Sequence, residues 1–163
     1  MNESMHDLVV RTIAATRFPF PGQTTWPEGY VTNTNVPERT VSIDTPVGPH
    51  FPDIVITDKA GVIREIGEVE MDIDEAAVPC LAAGSALTDN DTSTRVKHFF
   101  IYVPSGQEAK AQRLLDENGI SYAGVRGFTV SARGEVGVIP FVTAGDDYDH
   151  QVTPPQVVRS PGG

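Results

Sequence analysis

The heptapeptide HFFIYVP, residues 98–104, limits the possible folds more than any other part of this chain. Five consecutive aromatic or β-branched side chains suit a strand covered on both faces. Ser105-Gly106-Gln107-Glu108 follows and has the form of a capping box, with Ser105 as the cap and Glu108 three residues on. EAKAQRLLDEN then has helical spacing and meets a stop at Asn118-Gly119. Residues 124–131 return to a β pattern. A buried strand, a helix and a second strand form a crossover between parallel strands. The expected class is therefore α/β, with a mixed sheet of about four to six strands and helices on both faces.

The rest of the chain fits that frame. Residues 4–17 place Met5, Leu8, Val9 and Ile13 near one helical face, with Ser4 as N-cap. Residues 18–38 are rich in Pro, Gly, Thr and Asn and read as one long loop. Trp26 and Tyr30 in that loop are expected to pin it to the body rather than to stack on a base. TVSID, 40–44, reads as a short strand. Residues 74–88 look helical but broken at Pro79 and Gly84. Cys80 lies among small residues there and reads as part of the core. A single domain is expected over residues 1–143. The acidic, Pro/Gly-rich remainder, 144–163, is expected to be a flexible tail, and Asp146, Asp147, Asp149 and His150 are read as solvated there.

Chemistry concentrates in PDIVITDKAGVIREIGEVEMD, residues 52–72. Two β runs, about 53–57 and 62–71, flank Asp58-Lys59-Ala60-Gly61, where Gly61 suits a left-handed turn position. Glu68 and Glu70 stand two apart, so a strand presents both on one face. Asp53 joins them if Thr57 pairs with Val62. If Asp58 pairs with Val62 instead, the parity flips and a bulge, for instance at Gly67, must restore it. Clustered carboxylates raise one another's pKa, and a hard divalent cation with oxygen ligands relieves that cost.

Pro52-Asp53, a hairpin and Glu68-Val69-Glu70, set between an opening helix and the HFFIYVP strand, resemble the motif of the PD-(D/E)xK nuclease superfamily. The resemblance spans roughly residues 1–130 by the order of elements. It implies a restriction-endonuclease-like mixed sheet and a metal-dependent phosphodiester hydrolase acting on DNA. Asp53, Glu68 and the Val69 carbonyl would hold Mg²⁺ or Mn²⁺. Glu70 takes the place usually held by lysine and would orient or deprotonate water. Lys97 or Arg95 would supply the displaced positive charge; both read equally well as surface charges. Asp7 or Glu3 would add a fourth acid from the opening helix. The missing lysine equally suits an inactive nuclease-like module used for binding or assembly. A homodimer is expected because two strands need two sites.

A net charge of −10 rules against a broad basic face for nucleic acid, though a local cluster of cations can reverse the field in one cleft. One cysteine excludes a disulfide framework or a cysteine-built zinc site. The first residues lack the pattern of a signal peptide, and no apolar run approaches the roughly 20 residues that span a bilayer. A cytoplasmic location is therefore expected. His50 precedes the Pro-Asp pair and could join the site, but a lone histidine there is read first as structural or solvent-facing. Asp72, Asp74 and Glu75 are read as a solvated strand exit and helix start.

Overall fold

The structure is a computed structural model, and it describes residues 3–17, 29–88 and 99–143. Trp26, Arg95, Lys97 and the 144–163 tail lie outside these residues. The opening helix α1 spans Met5–Arg17. Ser4 caps it, its hydroxyl accepting the Asp7 N–H at 3.1 Å. Strands β1 (Val31–Thr34), β2 (Ile43–Thr45), β3 (Gly48–His50), β4 (Ile54–Thr57) and β5 (Ile63–Val69) follow. A short 3₁₀ turn, Glu75–Ala77, leads into α2 (Val78–Leu87). Strand β6 (Phe99–Pro104), α3 (Glu108–Glu117), β7 (Gly124–Val130) and β8 (Val136–Thr143) complete the order.

The fold is α/β. Six strands form one mixed sheet in the order β1-β4-β5-β6-β7-β8, while β2 and β3 pair as a separate hairpin. β5, β6 and β7 run parallel, and the outer pairings are antiparallel. Two apolar layers cover the sheet. Val9, Val10 and Ile13 of α1 pack with Ile54, Ile56, Phe100 and Tyr102. Leu81 of α2 and Ala111, Leu114 and Leu115 of α3 pack with Ile66, Phe99 and Ile101. Alternation along β5 and β6 assigns these to opposite faces, as expected for strands covered on both sides. No described helix is long and apolar enough to cross a membrane.

Local chemistry explains the departures from the expected elements. Part of the 18–38 loop is strand: β1 pairs antiparallel with β4, Val31 opposite Thr57. Tyr30 packs against the α1-side core, as a pinning residue would. Pro79 does not break the 74–88 helix, because it falls in the first turn of α2, where a missing N–H costs nothing. Gly84 does not break it either; it lets α2 approach the ring of Phe99. Asp74 caps the 3₁₀ turn, its carboxylate accepting the Ala76 N–H at 3.0 Å. Ser105 is not the cap of α3. Gln107 holds that position without a side-chain bond, and Glu108 accepts the Gly106 N–H at 2.6 Å. Cys80 is only partly buried.

Candidate functional site

The hairpin turn sets the site. The Asp58 carboxylate accepts the N–H groups of Ala60 and Val62 and the Arg64 Nε–H, at 2.9–3.0 Å. Gly61 sits at φ +84°, in the left-handed region that favours glycine. Asp58 lies opposite Val62, donating its N–H to the Val62 carbonyl at 3.0 Å. That pairing alone would send Asp53 to the wrong face. A register shift between Ile56 and Thr57 restores the parity, so Ile54 pairs with Gly67. The correction thus occurs near the turn, not at Gly67.

Asp53 consequently lies across from Glu68. The Asp53 N–H donates to Glu68 Oε1 at 3.3 Å, and the Val69 N–H donates to Asp53 Oδ2 at 2.7 Å. The Asp53 carboxylate therefore extends the β4–β5 ladder past the last backbone pair. Glu68 continues the face carrying Ile66, next to α2, and Glu70 follows two residues later. The Glu70 N–H is fixed by the Tyr102 carbonyl at 2.9 Å. Asp53 and Glu68 are buried, and Glu70 is half-buried.

Two histidines complete the cluster; sequence reading missed His6 and held His50 only as the lesser alternative. His6 of α1 has Nε2 at 3.0 Å from Asp53 Oδ1 and Nδ1 at 3.0 Å from Asp7 Oδ1. Only the imidazolium donates from both nitrogens. The hydrogen bond to Asp53 is the largest cause that pushes the His6 pKa up to about 9. His50, at the end of β3, has Nε2 at 2.8 Å from Glu68 Oε2. His50 is therefore part of the site, which corrects the solvent-facing reading. The opening helix contributes an imidazole rather than the expected fourth acid. Asp7 stands behind His6, while Glu3 pairs with Arg11 at 2.8 Å on the surface. An i, i+1 His-Asp pair beside an N-cap was the only local sign of this arrangement, and histidine periodicity carries none.

The electrostatics follow from burial and crowding. Loss of solvent pushes the Glu68 pKa up to about 8, against the opposing effect of His50. The His50 pKa is raised in turn, chiefly by its bond to Glu68. The pair thus keeps a proton through neutral pH. Burial and then the charge of Asp53 push Glu70 up to about 7. The Cys80 thiol of α2 is raised by burial and by the charges of Glu68 and Glu70, so α2 lies close to both acids.

A polar cavity of about 320 Å³ opens beside Asp53, with His6, Asn35, Arg39, His50 and Phe51 in its wall. Asn35 mounts one side of it. Its Oδ1 accepts the Val41 N–H at 2.8 Å, and its Nδ2 donates to the Val41 carbonyl at 2.8 Å and to the Pro52 carbonyl. The Asn35 N–H donates to the Asp53 carbonyl at 3.2 Å.

The resemblance implies a divalent ion here. Among the described residues, no group of three or more His, Cys, Asp or Glu side chains is placed to hold one as it stands. The donor chemistry of Asp53 and Glu68 nevertheless fits a hard cation. A carboxylate offers about four lone-pair directions. Each of these two carboxylates uses one contact per oxygen, leaving lone pairs for a metal. Burial above all, and then the neighbouring carboxylates, raise the pKa values of Glu68 and Glu70. The expected Lys97 and Arg95 lie outside the described residues; Arg39, His6 and His50 are the described cationic side chains bordering the cavity. No family model, curated protein or solved structure matches this chain.

Proposed function

We propose that this chain is a metal-dependent phosphodiester hydrolase acting on DNA, of the PD-(D/E)xK kind. One observation supports the reading: Asp53 and Glu68 are buried side by side across β4 and β5, the Asp53 N–H bonded to Glu68, and Glu70 follows on the face of Glu68, with burial pushing Glu68 and Glu70 up to about 8 and about 7. Carboxylates buried in this way are costly in a purely structural cluster and suit a site that receives a cation.

Asp53, Glu68 and the Val69 carbonyl would hold Mg²⁺ or Mn²⁺, which when bound supplies Lewis acidity toward a phosphate oxygen and acidifies water. Glu70, with a pKa near neutrality, is the general base for the attacking water. His6 and His50 orient the Asp53 and Glu68 carboxylates, as hydrogen-bonded partners of metal ligands do. Imidazolium charge at His6 offsets part of the negative charge around the phosphate.

Plasmid and oligonucleotide cleavage in Mg²⁺ and Mn²⁺ tests the proposal, with Glu68→Ala and Glu70→Gln expected to abolish it. The second reading, a nuclease-like binding module, is favoured by the imidazoles already paired to Asp53 and Glu68. Absence of both cleavage and calorimetric Mn²⁺ binding at millimolar ion would select it.

A further inference from the structure

The cavity beside Asp53 has a feature that hydrolysis does not require. Arg39 lies over the Phe51 ring, its guanidinium carbon 5.1 Å from the centroid, and both line the 320 Å³ hollow. Arg39 is exposed, so the stacked pair presents a surface to the cavity. The segment bearing it is tied to the site: buried Asn35 links residues 40 and 41 to the Pro52 carbonyl, and hence to Asp53. His6 and His50, which hold Asp53 and Glu68, form the inner wall.

We infer that this cavity takes one nucleotide of an unpaired DNA strand. The base stacks against the Arg39–Phe51 pair, and its phosphate lies toward His6 and His50. As the substrate class of the site, this rests on the hydrolase reading. Three considerations select an unpaired strand. A base inside a duplex cannot present its face to a side-chain platform without leaving the stack. Stacking on an aromatic or a guanidinium tolerates any base and needs no groove. A duplex carries one charge per roughly 1.7 Å and calls for many phosphate contacts, which a chain of net charge −10 with a few local cations does not offer.

Fluorescence anisotropy in chelator, with no divalent ion present, tests binding separately from cleavage. The probes are labelled (dT)12, a 12-base-pair duplex and unlabelled dTMP as competitor. (dT)12 should bind at least about tenfold more tightly than the duplex, and Arg39→Ala and Phe51→Leu should each weaken (dT)12 by about fivefold or more. Arg39→Ala sits at an exposed position and decides the matter if Phe51→Leu fails to fold. Equal binding of strand and duplex, or unchanged affinity in Arg39→Ala, overturns the inference. So does dTMP competing as well as (dT)12 mole for mole. Metal-dependent cleavage with those negative results leaves the hydrolase standing without this cavity. Arg39-dependent (dT)12 binding without cleavage does the reverse.

Discussion

Replacing Gly84 by alanine tests how closely α2 is held against the sheet beside the acids. An added Cβ would lie 2.9 Å from Cε1 of Phe99, 3.6 Å from its Cζ and 3.7 Å from Cδ1 of Ile66. Phe99 and Ile66 are both fully buried, so the ring cannot swing into solvent. Either α2 lifts or Phe99 leaves its rotamer. Such overpacking costs about 1–3 kcal/mol. Alanine also favours a helix interior over glycine by about 1 kcal/mol. With Phe99 and Ile66 fully buried the overpacking cost falls in the upper part of its range, about 2–3 kcal/mol, and a net loss of about 1–2 kcal/mol is expected. Unfolding entropy of about 2.1 cal/mol/K per residue makes 1 kcal/mol worth about 3 °C in a chain of this length. Thermal melts should therefore show Tm lower by about 3–6 °C, and urea titrations a lower midpoint with an unchanged slope. Thiol labelling of Cys80 should quicken as α2 lifts. An equal or higher Tm would refute the reasoning, because α2 would then be free to move away from Phe99 without loss.

Asn35→Ala takes the side-chain partner from the Val41 N–H and from the buried Pro52 carbonyl and loosens the wall that bears Arg39; denaturant titration should show a loss of about 2–4 kcal/mol. Asp58→Asn tests the turn through pH. The backbone bond from Val62, foremost among several causes, holds the Asp58 pKa below its usual value. A depressed carboxylate stabilises the fold above its unfolded pKa, and that contribution disappears as pH falls through the folded one. The variant should accordingly melt earlier than the parent at pH 7, with the gap closing below about pH 3.8. His50→Ala removes the partner of Glu68 Oε2, and calorimetry should show Mn²⁺ affinity about 10–100-fold weaker.

The fold was largely legible because its signals are local. Five apolar residues in β6, the Asn118-Gly119 stop and the 3.6-residue spacing of α1 each act within a few positions. The shared face of Glu68 and Glu70 needs only the alternation of one strand. What escaped depends on distant partners. Nothing near His6 or His50 says that each faces a carboxylate on another element. The bulge between Ile56 and Thr57 is a compromise between the Asp58 turn and the burial of β4, so no single residue announces it. β1 escaped because its four residues, VTNT, are held by pairing with β4 rather than by their own apolarity. Gly84 read as a breaker because glycine's helix cost is visible in the sequence, whereas the ring it accommodates is not.

The bond from the Val69 N–H to the Asp53 carboxylate has a consequence for lineages of this fold. An acid that closes a ladder is retained for architecture even after chemistry is lost, because its removal leaves a strand end without an acceptor. The persistence of Asp53 in descendants is thus no witness to catalysis. Glu70, whose main chain alone is bound into the sheet by Tyr102, can drift once nothing depends on its carboxylate. Under the proposed hydrolase reading, drift at position 70 set against constancy at position 53 would separate a chain that has lost the chemistry from one that keeps it.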